Sequence, residues 1–173
     1  MEIFIEEATI NDIDEIVKLK KNIYDKLENK ELYVIDGTNQ DYLKDKIENN
    51  EIVLKAINSD KKIVGFLIMS TNVKKEEDII KKVHLEEKIN ICIELVNTAV
   101  DSDYRGNNLL IKMIKKAEEM IKDKYHKKYI LTTVHPNNLA SLHSFLEMEY
   151  EIKCKSKMYG NLDRYILIKE LDE

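Results

Sequence analysis

The chain has 173 residues and a formal net charge of −5, with 43% hydrophobic and 35% charged residues. This length suits one domain with a sizeable core, and the single proline and four glycines exclude collagen-like and Gly/Pro-rich disordered classes. The mixed charge disfavours a broad surface for nucleic acid or membrane, and no apolar run is long enough for a transmembrane helix.

The first residues and the cysteine content indicate a cytoplasmic protein. The start of the chain, MEIFIEEATI, is acidic, whereas a signal peptide begins with basic residues. Cys92 and Cys154 are too few for a disulfide framework or a four-cysteine zinc site, so we expect reduced core thiols. The histidines are not spaced as metal ligands, and we expect no metal.

The first half of the chain predicts two helices and three strands. Period-2 and period-3.6 patterns predict a strand over 2–7, helices over 11–27 and 40–49, and strands over 51–57 and 62–71. The turn residues between the last two strands predict a hairpin. The charged segment 72–88 has no clear period, although a short helix over 76–83 is possible.

The second half alternates strands and helices. Strands are predicted over 89–100, 129–134, 149–157 and 164–171, and helices over 107–123 and 138–148. In the last helix we expect Leu139, Leu142, Phe145 and Leu146 to face the core. The order implies an α/β (α+β) fold with a mixed, partly antiparallel sheet of six to seven strands and about four helices, parallel only across 89–134. We expect one domain over 1–173.

The segment VDSDYRGNNLLIKMI contains a strand, a tight turn and the start of a helix. The first amides of a helix have no internal acceptors and attract anions. Gly106 lets the backbone approach a ligand, and Asn107 and Asn108 tolerate left-handed conformations. Arg105, one of only two arginines in a lysine-rich chain, adds a planar fork suited to phosphate. The alternative is an ordinary turn with an exposed arginine.

Two blocks of the sequence resemble the GNAT-type N-acetyltransferase superfamily. The family signature Gln/Arg-x-x-Gly-x-Gly/Ala matches at Arg105, while Asn108 and Leu110 occupy its small positions. A second block, from Val134 to Phe145, matches the family's next strand and helix at Asn138. With the element order, the resemblance spans nearly the whole chain.

The resemblance implies an acetyl-CoA donor lying between two splayed central parallel strands. The pantetheine arm would pair with the backbone of the first strand, the diphosphate would meet the amides after it, and the second block would complete the cofactor site. The implied cofactor residues are Asn97, Thr98, Ala99, Val100, Arg105, Gly106, Asn107, Asn108, Leu109, Leu110, Asn138, Ser141 and Phe145.

The resemblance also implies the catalytic groups. Glu94 stands where histone-type members place their general base, and the alternative is a half-exposed carboxylate paired with a lysine. Amides of Ala99 and Val100 would stabilise the oxyanion. Phe145 replaces the usual tyrosine acid, and neither Tyr159 nor Tyr165 is selected as its substitute by a motif.

The function implied is acetyl transfer to a primary amine of a small molecule or peptide. A degenerate acyl-CoA-binding module without turnover, or transfer to a hydroxyl or from a longer acyl donor, are the alternatives. Segments 24–42 and 72–88 would line the acceptor pocket, and a homodimer is possible. Acidic residues there would tolerate a cationic amine or polyamine; they are Glu28, Glu31, Asp36, Glu76 and Glu77.

Overall fold

The structure is a computed structural model that describes residues 2–74 and 77–172. Its strands are β1 (Ile3–Glu7), β2 (Val53–Asn58), β3 (Ile63–Ser70), β4 (Cys92–Val100), β5 (Tyr129–Val134), β6 (Glu151–Met158) and β7 (Leu162–Glu170). The α-helices in this part of the chain are α1 (Ile13–Lys26), α2 (Gln40–Glu48), α3 (Asp78–Lys82), α4 (Leu109–Met120) and α5 (Leu139–Glu147).

The strands form one mixed sheet in the order β1-β2-β3-β4-β5-β7-β6. The pair β4–β5 is parallel, and the other neighbouring pairs are antiparallel. This arrangement confirms the predicted fold class. The short helix α3 lies within the predicted 76–83; Glu76 itself is outside the described residues.

Helices cover both faces of the sheet. On one face α1 and α2 pack on β3 side chains such as Phe66 and Ile68, and on the other α4 packs on Leu67 and Met69. All eight residues of β3 are buried, as expected for a central strand covered on both sides. None of the helices described is long and apolar enough to cross a membrane.

Three sequence predictions about boundaries and orientation are wrong. Residues Glu86–Ile91 form a 3₁₀ helix, so β4 begins at Cys92 and not at 89. Helix α4 begins at Leu109 because Asn108 adopts the left-handed conformation (φ 54°). In α5, Leu139 and Leu146 are 59% and 43% exposed, because the buried stripe of this short helix follows Leu142, Phe145 and Met148.

Strands β4 and β5 separate after three residue pairs. The register runs from Cys92–Tyr129 to Glu94–Leu131 and then ends. Beyond these pairs, a side-chain hydrogen bond joins the two strands: Thr132 Oγ1 donates to the carbonyl of Leu95 over 3.1 Å. A bulge leaves Val96 without an opposite residue in β3. The splayed parallel strands implied by the family resemblance are therefore present, and they open a cleft.

Candidate active site

The cleft holds two adjacent cavities that share part of their walls. The inner cavity, of about 320 Å³, lies at its closed end and is lined by Glu94, Val96 and Tyr159 among others. The outer cavity, of about 260 Å³, extends to the bend after β4 and is lined by Arg105 and Gly106. Residues common to both walls are Leu32, Tyr33, Thr98, Asn138 and Ser141.

The bend after β4 leaves the start of α4 open. The Asp101 carboxylate accepts the amide of Asp103 over 3.1 Å, which fixes a short 3₁₀ turn. Gly106 (φ 81°) and Asn108 (φ 54°) then carry left-handed conformations, and the side chain of Asn108 makes no cap hydrogen bond. The first amides of α4 therefore receive neither a side-chain cap from Asn108 nor an acidic residue in the first turn.

The remaining residues of the bend differ in their exposure to solvent. Arg105 and Asn107 are exposed, and Asn107 Nδ2 donates to the carbonyl of Tyr104 over 3.0 Å. Leu109 is buried in the core. Leu110 is half-buried, packs on that core and lines the outer cavity, so its side chain forms part of the wall.

In the part of β4 that is not paired with β5, the direction of successive amide groups alternates between β3 and the cleft. The amide of Asp101 donates to the carbonyl of Val64 in β3 over 2.9 Å. Since this direction alternates, the amides of Asn97 and Ala99 also point to β3, and those of Thr98 and Val100 point into the cleft. Ala99 lines the outer cavity, but its amide points to β3 and is not free to serve an oxyanion.

Asn97 holds the segment that covers the cleft. It is 7% exposed, and its amide group accepts from the hydroxyl of Tyr33 and donates to Thr38 Oγ1 over 3.1 Å and to the carbonyl of Val34 over 3.3 Å. The buried Lys20 supports the same segment, since its Nζ donates to Thr38 O over 2.6 Å and to Thr38 Oγ1 over 2.7 Å.

Asn138 and Ser141 lie at the junction of the cavities. Asn138 Oδ1 accepts the amide of Ser141 over 3.3 Å and so begins α5. This bond places both residues in the walls of both cavities. The sequence block that carried the resemblance is therefore next to the bend of the first block.

Glu94 is surrounded by charged groups from distant parts of the chain. Burial, the charge of Glu77 and a hydrogen bond with Glu77 together raise the pKa of Glu94 to about 8, against the lowering effect of Lys46. A hydrogen bond between two carboxyl groups requires a proton on one of them. Lys46 is itself buried, with Nζ 2.8 Å from Ser70 Oγ and 3.8 Å from a Glu51 carboxylate oxygen.

Phe145 and Tyr159 form part of the inner cavity. Phe145 is 2% exposed and packs edge-on against Tyr150 at 5.1 Å between ring centres, so this wall has no proton donor at that position. The hydroxyl of Tyr159 lies 2.8 Å from Thr133 Oγ1. Tyr165 packs against the core instead.

The other candidate chemistries find little support. Cys92 is fully buried, and burial raises the pKa of its thiol, as expected of a core thiol. His143 is exposed on α5. Among residues 2–74 and 77–172, no group of three His, Cys, Asp or Glu side chains could hold a metal ion.

Comparisons with known proteins identify the class and then the family. The fold is that of acetyltransferases of known structure, and the model of the acetyltransferase (GNAT) family matches residues 14–150. The chain belongs to the GNAT acetyltransferase family, as the sequence resemblance predicted, and is an acyltransferase that uses acetyl-CoA. A search of the curated proteins found no match.

Solved structures share the fold at low sequence identity. A GNAT-family acetyltransferase from Streptococcus pneumoniae is 18% identical, with a TM-score of 0.74 over 99% of this chain and 100% of that one. The yncA protein from Salmonella typhimurium, solved with its cofactor acetyl-CoA, is 14% identical, with a TM-score of 0.71 over 100% and 96%. A ribosomal-protein-S5-alanine acetyltransferase from Vibrio fischeri is 13% identical, with a TM-score of 0.71 over 100% and 95%.

Proposed function

We propose that this protein transfers the acetyl group of acetyl-CoA to a primary amine, with Glu94 as the general base. The observation that carries the proposal is a carboxyl group of raised pKa at the closed end of a cleft whose other end is an open helix N-terminus. A carboxylate with a pKa near the working pH is suited to take a proton from an ammonium group.

The cofactor is proposed to lie along the cleft. The diphosphate would meet the amides of 105–110 and the guanidinium of Arg105, because helix N-termini bind phosphate. The pantetheine arm would pair with the amides of Thr98 and Val100, which point away from β3. The thioester would then reach the inner cavity, whose walls include Val96, Asn138 and Ser141.

This placement moves the proposed oxyanion site away from Val100. A strand rises about 3.3 Å per residue, so Val100 stands about 20 Å from Glu94, at the phosphate end of the cleft. Val96 is the bulged residue beside the inner cavity. Since a bulge changes the direction of a peptide group, the amide of Val96 is our candidate donor to the oxyanion.

The reaction is balanced by three proton movements. Glu94 takes a proton from the ammonium group, the amine attacks the thioester carbon, a C–N bond forms and the C–S bond breaks. The nitrogen still carries two protons after the attack and releases one to solvent, which leaves the neutral amide. The thiolate leaves and takes a proton from solvent, since Phe145 has none to give. A thiol pKa of about 8.5 makes thiolate a tolerable leaving group without a strong acid.

The test is acetyl-CoA turnover with pools of amines, amino acids and peptides, followed by release of free thiol. Thiol release that depends on the amine, with the N-acetyl product identified by mass, supports transfer. The buried Phe145 favours the second candidate, a module that binds acetyl-CoA without turnover. Saturable binding of acetyl-CoA with no product from any pool would establish that candidate and exclude the first.

Arg105→Ala is expected to weaken CoA binding about 10- to 100-fold, because one charged hydrogen-bonding partner of the diphosphate is lost. Calorimetry with CoA and with pantetheine, which carries no phosphate, measures this change in affinity. The loss should appear with CoA and be absent with pantetheine. Lys116→Ala, which removes an exposed cation of α4, serves as the control. Equal affinities for CoA in Arg105→Ala and the unaltered protein would remove Arg105 from the site.

A further inference from the structure

The second arginine of the chain lies in the wall of the inner cavity. Among 28 lysines and arginines, the arginines are Arg105 and Arg164. Arg105 belongs to the bend. Arg164, in β7, is 2% exposed and lines the inner cavity together with Glu94 and Tyr159. A buried guanidinium in a cavity wall calls for an anionic partner, because an uncompensated charge is costly to bury.

No carboxylate of the described chain forms an ion pair with this guanidinium. Its Nη1 donates to the backbone carbonyl of Asp163 and its Nη2 to that of Glu31, each over 2.7 Å. Two of the five N–H donors of a guanidinium are used in these bonds, so three are left for other acceptors.

The two acids closest to this region are engaged elsewhere. The carboxylate of Asp163 pairs with Lys157 over 2.9 Å, and that of Glu31 is 64% exposed and lies 3.9 Å from His135 Nε2. The face of Tyr159 lies 5.8 Å from the guanidinium carbon. These contacts fix the plane of the guanidinium while leaving its charge without a carboxylate partner.

The inner cavity therefore has an acidic end and a basic end. Glu94, with Glu77 hydrogen-bonded to it, forms the acidic end, and Arg164 forms the basic end. Glu94 is opposite Leu131 of β5, whereas Arg164 lies beyond Tyr165, which is opposite Val134 at the end of β5. A ligand that carries an ammonium and a carboxylate matches both ends, whereas the second ammonium of a polyamine would meet the guanidinium.

We propose that the acceptor is a small amine that also carries a carboxylate, an amino acid in the chemical sense, with its carboxylate bound by Arg164. The inference rests on the proposed acetyl transfer and adds the substrate class. The guanidinium fork suits the two oxygens of a carboxylate. A cavity of about 320 Å³ has room for an acceptor of amino-acid size beside the thioester.

The experiment compares each protein amino acid with its own carboxamide as the acceptor, at saturating acetyl-CoA. The carboxamide has nearly the same shape as the acid. Its amine is less basic and therefore more often unprotonated, which by itself favours the carboxamide. A preference for the acid therefore reports on recognition of its carboxylate. We expect kcat/KM to favour the acid about 10- to 100-fold for the best substrate. In Arg164→Gln this ratio should fall to near one.

Controls separate recognition from folding. Lys153→Ala, which removes an exposed cation of β6 and keeps the Lys157–Asp163 pair, should keep the ratio of the unaltered protein. Arg164→Lys keeps the charge without the fork and should keep part of the preference. A structural role would lower both rates together and leave the ratio unchanged, which would overturn the proposal, as would an unaltered protein that accepts acid and carboxamide equally.

A binding measurement distinguishes failure of this inference from failure of the proposed function. Calorimetry of the CoA-loaded protein with the same acids and carboxamides requires no turnover. Tighter binding of an acid, lost in Arg164→Gln, supports the carboxylate site even if no amine is acetylated. Turnover of amines without any preference for the acid would leave acetyl transfer standing and exclude the carboxylate site.

Discussion

Glu94→Gln is expected to lower kcat/KM for amine acetylation about 10²- to 10⁴-fold, the usual contribution of a general base. Glutamine keeps the shape of the side chain and cannot take a proton. The affinity for CoA should not change, because Glu94 lies at the opposite end of the cleft from the bend. Steady-state kinetics with calorimetry on the same preparations measures both quantities.

The dependence of kcat/KM on pH provides a second test of Glu94 as the base. The base is active when deprotonated, and its pKa is raised to about 8, so kcat/KM should rise with pH through about 8 and then level off. In Glu94→Gln this rise should be absent from the residual rate. Glu77→Gln removes the charge that raises the pKa of Glu94, and in that variant the rise should move to lower pH.

Stability should change in the opposite direction to activity. The folded protein holds on Glu94 a proton that an unfolded chain loses above about pH 4.5, so the free energy of unfolding declines as pH rises from about 4.5 to about 8. Glu94→Gln removes this decline and should raise Tm at alkaline pH. A variant that loses activity and Tm together would indicate damage to the fold and would contradict the assignment of the base.

The fold could be predicted from the sequence because most of its elements have clear periods. The strands 2–7 and 129–134 and the hairpin 51–71 appear close to where the patterns placed them. The sequence admitted a left-handed conformation at Asn107 and at Asn108 but could not select Asn108, and it could not give the bulge at Val96, since each depends on a single peptide whose direction is set by tertiary contacts. They also placed Leu139 and Leu146 inside, because a nine-residue helix with many apolar residues does not define which stripe is buried.

The resemblance selected Glu94 as the proposed base, but it gave no information on the electrostatic surroundings of that carboxyl group. Glu77 and Lys46 lie on segments with no sequence relation to β4, so only the fold brings their charges to Glu94. A weak signal existed for the buried lysines. Lys20 falls on the apolar face of α1 between Ile16 and Ile23, where a charge requires buried partners.

For Arg164, the sequence indicated a special role through the amino-acid composition alone. A chain that uses lysine nearly everywhere has arginine at two positions, and the structure places both in the walls of the cleft. Sequence patterns could single out Arg105, because it begins a recognisable bend. Arg164 lies in an ordinary strand, and its importance depends on cavity walls that only the folded chain forms.

Lys46→Met is expected to lower the free energy of unfolding by about 3 kcal/mol, because it removes one partner of a buried ion pair. The side chains of Lys46 and Glu51 are 10% and 7% exposed, with 3.8 Å between Nζ and the carboxylate. Methionine fills much of the same volume but leaves the Glu51 carboxylate buried without its cation, and Ser70 Oγ without its donor. Denaturant unfolding at neutral pH measures the loss.

The matched control for this change is Lys44→Met on the same helix. Lys44 and Glu48 form an exposed pair, with side chains 58% and 57% accessible, and such pairs contribute less than about 0.5 kcal/mol. A loss of similar size in both variants would mean that methionine disturbs α2 itself, and that the buried pair does not stabilise the fold.

Lys46→Met should also change the chemistry at Glu94. Lys46 is the positive group that lowers the pKa of Glu94, so its removal should raise that pKa and move the rise in kcat/KM above the pH of the unaltered protein. The shift is opposite in sign to that of Glu77→Gln. Since both substitutions alter α2 or the segment before α3 and leave β4 unchanged, opposite shifts can only come from the charges that surround one titrating carboxyl group. Shifts in the same direction, or none, would place the titrating base elsewhere in the cleft.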